Sequence, residues 1–124
     1  EYTVVPHYSK NEKYNNDSNF LDSFNKNWNK FVERIVASKL VISSSLHGKI
    51  IAESYGVPAI MLKYTPCDDI TKYKDWYYST GRKLFPVAKD IDEALVLKPS
   101  ILQREILIKM QNDLIESFPV DLWK

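Results

Sequence analysis

Residues 40–62 read LVISSSLHGKIIAESYGVPAIML, and this stretch decides the fold. Leu40-Val41-Ile42 is a continuous apolar run, as expected for a strand that is covered on both faces. A helix is predicted from about Leu46 to Tyr55, and Gly56 stands where a helix commonly ends. The side of this helix that we expect to be apolar carries Leu46, Ile50 and Ile51. Residues 58–62 form the next buried strand, so the stretch predicts a β-α-β unit with parallel strands.

The segment before this unit predicts one more strand and one more helix. Tyr2-Thr3-Val4-Val5 is aromatic and β-branched, and Pro6 ends it, which is typical of a strand. Residues 7–20 are polar and rich in asparagine, so we expect an exposed loop. An amphipathic helix follows, which Asn25 or Asn27 could cap. Its apolar positions have the spacing of one helix face: Trp28, Phe31, Val32, Ile35 and Val36.

The segment after the unit predicts further alternation of helices and strands. Residues 63–82 contain a short helix that ends at Gly81, and residues 83–87 form an edge strand. Two capping-box patterns follow: Asp90 with Glu93, and Ser100 with Gln103. The second opens a long helix that Pro119 ends, with an apolar row of Leu102, Ile106, Met110 and Leu114. We therefore predict one α/β domain over residues 1–124, Rossmann-like and doubly wound, with a mainly parallel sheet.

Composition excludes several functional classes. The 124 residues carry a net charge of +1, which argues against general nucleic-acid binding. Cys67 is the single cysteine; it predicts a reduced, cytosolic thiol, and no neighbouring histidine or cysteine suggests a metal site. No apolar run approaches the roughly 18 residues of a membrane span. Because the chain begins at Glu1 and goes straight into a strand, we expect a fragment of a longer protein.

The richest candidate site is Ser43-Ser44-Ser45-Leu46-His47-Gly48, where the second strand passes into a helix. Ligands of parallel sheets bind beyond the carboxyl ends of the strands, and hydroxyls with free N–H groups at a helix start suit an anion such as phosphate. A neutral form of His47 is favoured by the helix dipole. The pattern is neither a dinucleotide fingerprint nor a P-loop, and no nucleophile elbow surrounds the serines. A purely structural role, with serines capping the helix, stays open.

Two further candidates are weaker. The run Lys72-Tyr73-Lys74-Asp75-Trp76-Tyr77, continued to Arg82, interleaves cations with aromatic residues that could bind an anion and stack on a sugar. From the residues alone, the favoured interpretation of the run is a helix with its aromatic residues in the core and its cations in water. His7, after the first strand, is either a ligand contact or a loop residue.

Taken together, these segments resemble the polysaccharide pyruvyl transferases. Residues 41–58, VISSSLHGKIIAESYGVP, are similar to the family's strand, S-S-L-H-G and A-E/D-A-x-G-I/V-P signature. Lys72 to Tyr77 resembles its K-F-R-D-Y-Y run, and Val5-Pro6-His7 resembles its strand that ends in P-H. The resemblance covers much of residues 2–82.

The resemblance implies the C-terminal half of a two-domain, GT-B-like enzyme, which would be inactive without its N-terminal domain. Such enzymes transfer the enolpyruvyl group of phosphoenolpyruvate to a sugar as a pyruvate ketal. By its place in the L-H-G element, the resemblance implies that His47 is the catalytic acid or a histidine that binds the donor. Residues implied to bind substrate are Ser43, Ser44, Ser45, Gly48, His7, Lys74 and Arg82. Ser45 stands where many members carry arginine, and Lys74 stands where the family run has arginine.

The implied setting is bacterial exopolysaccharide or capsule biosynthesis in the cytoplasm. The acceptor is a sugar or a lipid-linked oligosaccharide, which would bring the enzyme to the inner membrane as a peripheral protein. No metal and no cofactor are expected, with phosphoenolpyruvate as the donor substrate. Two alternatives remain: half of a GT-B glycosyltransferase that uses a nucleotide sugar, and a non-catalytic carbohydrate-binding module.

Overall fold

Parallel strands at the centre of the fold position the loops that carry most of the candidate site residues. The computed structural model describes residues 1–9, 12, 17–23, 26–63, 65 and 69–123. In this part of the chain the strands are β1 (Tyr2–Val5), β2 (Leu40–Ser43), β3 (Ala59–Leu62) and β4 (Val87–Ala88), all parallel and in the order β1-β2-β3-β4. The helices are α1 (Trp28–Val36), α2 (Leu46–Ser54), α3 (Thr71–Ser79), α4 (Ile91–Val96) and α5 (Arg104–Ser117), followed by a 3-10 turn at Val120–Trp123.

Helices cover both faces of this sheet. One face packs against α1 and α2 through a cluster that contains Val5, Phe31, Ile35, Val41 and Ala52. The other face packs against α4 through a cluster that contains Ile42, Ile60, Leu62, Ala88 and Ala94. Successive strand residues therefore alternate between two buried faces, which explains the continuous apolar runs. The domain is α/β, Rossmann-like and doubly wound, as predicted.

Local signals in the sequence set several element ends. The Asn27 side chain accepts a hydrogen bond from the Lys30 N–H and caps α1; the other predicted cap, Asn25, lies outside the described residues. Gly56 and Gly81, which follow α2 and α3, both have φ of 76°, a backbone conformation that residues other than glycine rarely adopt. Asp90 caps α4 by accepting from the Glu93 N–H.

The buried side of α2 differs from the prediction. Its fully buried residues are Gly48, Lys49, Ala52 and Glu53. Leu46, Ile50 and Ile51 are only half buried, although Ile51 packs against the core cluster that α1 and α2 share with the sheet. The reason is that Lys49 and Glu53 satisfy each other's charge inside the protein, so two charged residues occupy the inner face.

Two predicted element starts were wrong. The strand predicted over residues 83–87 is only Val87–Ala88, because Pro86 lacks a ladder donor and Phe85 stacks on Tyr77 instead. The capping box of Ser100 and Gln103 does not form, and α5 begins at Arg104 without a side-chain cap. The Ser100 carbonyl is held by Arg82, which keeps this segment out of the helix.

The prediction of an exposed loop over residues 7–20 can be checked only in part, and at the end of this segment it was wrong. Asn11, Asn15 and Asn16 lie outside the described residues, as does Cys67 further along the chain. Phe20, at the end of the predicted loop, forms a parallel bridge with Val4 on the outer edge of β1. The adjoining Leu21 is buried in the core, so the end of this segment belongs to the sheet. No helix among the described residues has the length and apolar character needed to cross a membrane.

Candidate functional site

The candidate site begins where β1 and β2 end side by side. Val5 pairs with Ser43 in the sheet, and the Ser43 hydroxyl lies 2.8 Å from the Val5 carbonyl oxygen. The same hydroxyl oxygen accepts a hydrogen bond from the Ser45 N–H at 3.1 Å. Ser43 is fully buried, so its side chain holds the two strand ends and the following loop together.

Gly48 lets α2 start directly against these strand ends. A Cβ atom at this position would lie 2.6 Å from Val5 Cγ1 and 2.9 Å from Ser43 Oγ, closer than real Cβ contacts. A larger residue would push the first turn of α2 away from β1. The glycine of the motif therefore sets how closely the helix start approaches the sheet.

Ser44 joins three segments around the site. Its hydroxyl accepts a hydrogen bond from the His7 N–H at 2.8 Å, and its carbonyl accepts one from the Tyr73 hydroxyl. Ser44 is buried, and its contact with Tyr73 is shielded from water, while its contact with His7 is half-buried. The loop after β1, the loop after β2 and helix α3 are therefore held in a fixed relation.

Ser45 and His47 lie at the start of α2, further from the core. Ser45 is the N-cap residue, and its hydroxyl lies 3.5 Å from the Gly48 nitrogen. His47 occupies the first turn, as predicted, and its side chain is exposed. The N–H groups of a first helical turn have no partner within the helix, so this end of α2 favours an anion.

A cleft of about 420 Å³ opens at this end of the sheet, within the size range of small-molecule sites. The lining includes a polar set, His7, Ser45, His47 and Lys72, called the polar wall, and an apolar set, Tyr8, Trp28, Phe31 and Leu46, called the apolar wall. The His7 ring stays in place through a contact of 2.9 Å between Nδ1 and Ser9 Oγ. The cleft therefore combines basic side chains, a helix start and aromatic surface.

The structure brings only part of the predicted residue set to this cleft. His7, Ser45, His47 and Gly48 line it, whereas Ser43 and Ser44 are buried behind it. Lys74 is exposed but does not line the cleft; Lys72 does. Side chains two positions apart on a helix point to nearly opposite sides, so Lys72 and Lys74 do not face the same ligand. Sequence reasoning noted Lys72 in the cationic run but omitted it from the predicted site.

Arg82 lies apart from the cleft, in a buried cluster centred on Glu53. Its Nη1 and Nη2 atoms donate to the Glu53 carboxylate at 2.8 and 2.9 Å. Nη1 also donates to the Ser100 carbonyl at 2.9 Å, and Nε donates to Thr80 Oγ1 at 2.8 Å. The guanidinium is therefore engaged on all three of its nitrogens.

Residues of α2 and α3 complete this Glu53 cluster. Lys49 Nζ donates to Glu53 Oε1 at 2.9 Å and to the Ala59 carbonyl at 3.0 Å. The Trp76 indole N–H donates to Glu53 Oε2, and the Tyr77 ring lies 4.4 Å from Lys49 Nζ. Trp76 and Tyr77 thus join α3 to α2 and do not reach the cleft.

Burial, together with neighbouring charges and hydrogen bonds, shifts the pKa values of residues in the Glu53 cluster. Burial lowers the pKa of Lys49 to about 8, although Glu53 opposes the shift by its charge and hydrogen bond. Burial acts to raise the pKa of Glu53, but hydrogen bonds from Arg82 and Trp76 and the charge of Lys49 hold it below its ordinary value. Burial, with the charge of Glu53, raises the pKa of Tyr77. The carboxylate of Glu53 therefore stays ionised and links two helices.

The Glu53 cluster was not predicted, although its signal is present in the sequence. Lys49 and Glu53 are four residues apart, the spacing of an ion pair on one helix face. Ion pairs with that spacing are usual on exposed helix faces. Lys49 and Glu53 are buried here because residues of α3 and Arg82 provide further partners for them. Their positions depend on tertiary structure, which the local pattern does not contain.

Comparison with known proteins finds that the chain matches the sequence model of one family. The sequence model of the family described as polysaccharide pyruvyl transferase matches residues 2–66, from β1 through β3, with α2 and its start included. No curated protein and no solved structure matches the chain. The matched segment is more than half of the 124 residues and contains His7 and the whole Ser43–Gly48 stretch. On this match, the chain belongs to the polysaccharide pyruvyl transferase family.

Proposed function

We propose that this chain takes part in transferring the enolpyruvyl group of phosphoenolpyruvate to a sugar, which forms a pyruvate ketal. The observation that carries the proposal is the cleft itself, where His7, Ser45, His47 and Lys72 meet at the start of α2. This is the edge of a parallel sheet where substrates bind. Membership of a transferase family supports the same reaction class.

The donor substrate sets two chemical requirements. Its phosphate and carboxylate need cations or N–H donors, and its C3 carbon must receive a proton as positive charge develops at C2. Two sugar hydroxyls then bond to C2, each giving up its proton. The C2–O bond to phosphate breaks, and inorganic phosphate leaves. An acid near C3 and a cationic phosphate site are therefore both needed.

Residues of the cleft supply candidates for both roles. We assign the proton donor to His47, because it is the titratable side chain at the helix start and is exposed to the cleft. We assign the phosphate or carboxylate to the first-turn amides of α2 together with Lys72. Of the residues described along the cleft, Lys72 alone carries a permanent positive charge.

Ser43, Ser44 and Gly48 contribute differently in this proposal. Their hydrogen bonds and close contacts are made to β1, to His7 and to α3. We therefore propose that they fix the position of the helix start and that Ser45, at its exposed end, contacts the donor. Arg82 holds Glu53 and acts on the donor only through the position of α2 and α3.

The wider setting follows the family resemblance. We propose that the chain is the C-terminal half of a GT-B-like enzyme and that an N-terminal domain supplies the facing wall of the cleft. We further propose a role in bacterial exopolysaccharide or capsule synthesis in the cytoplasm. The acceptor would be a sugar or a lipid-linked oligosaccharide at the inner membrane.

Replacing His47 in the full-length protein tests the proposal. His47→Gln and His47→Asn keep a polar side chain but remove a proton donor, so ketal formation should fall by roughly 10²–10⁴-fold. Because His47 is exposed, the melting temperature should stay almost unchanged. The measurements are phosphate release from phosphoenolpyruvate with a sugar acceptor, and thermal unfolding of each variant.

Two results would contradict the assignment. Wild-type turnover by folded His47 variants would remove the proposed acid and favour a non-catalytic module. Binding of a nucleotide sugar without binding of phosphoenolpyruvate would favour the glycosyltransferase alternative. A donor panel that contains phosphoenolpyruvate, UDP-glucose and GDP-mannose separates these outcomes.

A further inference from the structure

The apolar wall of the cleft contains an exposed tryptophan that the core does not require. Trp28, at the start of α1, is 58% exposed even though its spacing matches the core face of the helix. Phe31 and Ile35, one and two turns further along, are the buried residues of α1. Trp28 therefore adds little to the core and presents its indole to the cleft instead.

Packing holds the Trp28 ring in a defined plane. The ring stacks on Phe31 with a centroid distance of 5.3 Å and an angle of 11° between the planes. Phe31 is itself buried, so the ring on which Trp28 packs is held in place by the core. Tyr8, also 58% exposed, lines the same cleft, and its ring lies against His7 with centroids 4.1 Å apart.

The two walls of the cleft suit two different substrates. An anionic donor needs the polar wall with Lys72 and the start of α2. A pyranose ring has apolar C–H faces and polar hydroxyl edges, so it suits a flat aromatic surface beside polar groups. Transfer requires the acceptor hydroxyls to reach C2 of the donor, so both substrates must occupy one cleft.

We infer that Trp28, with Tyr8 in the lining of the same cleft, forms the acceptor subsite, where a pyranose ring stacks on the indole while its hydroxyls face His47 and Lys72. The inference rests on the proposed pyruvyl transfer for its donor. Its own support is the exposure of Trp28, its stacking on Phe31 and its place in the cleft. Trp76 and Tyr77, for which the sequence favoured a structural role over sugar stacking, are held in the Glu53 cluster.

Kinetics of the full-length protein test the subsite. Trp28→Leu keeps an apolar side chain but removes the aromatic face, so the KM for the acceptor should rise roughly 2- to 12-fold. Trp28→Phe should restore most of the affinity. The KM for phosphoenolpyruvate should stay unchanged in both variants. Trp123→Leu is the matched control, since Trp123 is 75% exposed and does not line the cleft.

A binding measurement separates failure of the subsite from failure of the proposed reaction. Quenching of tryptophan fluorescence by methyl glucoside, galactoside and mannoside should appear in wild type and Trp123→Leu but be lost in Trp28→Phe. Sugar binding without any turnover of phosphoenolpyruvate would overturn the reaction and leave the subsite standing. Turnover with an acceptor KM that is the same in Trp28→Leu and wild type would overturn the subsite alone, as would an equal rise in both KM values.

Discussion

Within Ser43–Gly48, burial separates two kinds of residue. Ser43 and Ser44 are buried behind the cleft, and Gly48 is buried but borders it, whereas Ser45 and His47 bring side chains to the cleft. A serine whose hydroxyl is already hydrogen-bonded to the backbone inside the protein mainly fixes geometry. The motif is therefore a short scaffold that presents one hydroxyl and one imidazole.

The two lysines of α3 provide a matched test at the residue scale. Lys72→Ala and Lys74→Ala remove the same charge from exposed positions of one helix, but only Lys72 lines the cleft. We expect Lys72→Ala to raise the KM for phosphoenolpyruvate more than it lowers kcat, because a charge-assisted contact to the donor is lost.

Lys74→Ala serves as the control in this comparison, with a small effect on both constants. Steady-state kinetics of the full-length protein at constant ionic strength measure the difference. A larger rise in KM for Lys74→Ala than for Lys72→Ala would show that the donor lies on the other side of α3. That result would restore the residue that the sequence resemblance favoured.

At the scale of elements, the sequence predicted which helices and strands exist better than which sides they bury. Periodicity and caps located α1, α2 and α4, because those signals act within one or two turns. The burial of Lys49 and Glu53 on the inner side of α2 was not predicted, since the two residues are buried only with the help of Arg82 from beyond α3. Such partners are distant in sequence, so no local pattern reveals them.

The contacts of the Glu53 cluster are expected to supply much of the free energy that holds α2 and α3 together. Glu53→Gln would leave Lys49 and Arg82 buried without a counter-charge, which costs about 3–5 kcal/mol of unfolding free energy. Urea denaturation at pH 7 measures this loss. Glu116→Gln, at an exposed position of α5, is the control and should change stability by less than about 0.5 kcal/mol.

The pH dependence of stability tests the role of Glu53 in a second way. The pKa of Glu53 is lowered in the folded protein relative to its ordinary value of 4.5. Its stabilisation is therefore complete above about pH 4.5 and is lost as the pH falls through the folded pKa. The stability difference between wild type and Glu53→Gln should shrink below that pH. A difference that stays constant into acid would show that the carboxylate is not held by its cationic neighbours.

For the whole molecule, topology explains why the location of the site was predictable. Parallel strands place all their carboxyl ends at one edge, so His7 and Ser45 come together wherever β1 pairs with β2. The aromatic wall was not predictable, because Trp28 has the spacing of a core residue and only the position of α1 against the sheet exposes it. The catalytic assignment of His47 stays a prediction that the kinetics above test.

The last prediction concerns how much of an active enzyme residues 1–124 contain. His47 is exposed at the cleft, and transfer of a reactive enolpyruvyl group requires exclusion of water from the reacting atoms. If a second domain supplies the facing wall, residues 1–124 alone should unfold cooperatively but release no phosphate from phosphoenolpyruvate and a sugar. Addition of the separately produced N-terminal domain should restore release, and the same addition to a His47→Gln fragment should not. Phosphate release by the fragment alone, at the rate of the full-length protein, would show that one α/β domain holds the complete site.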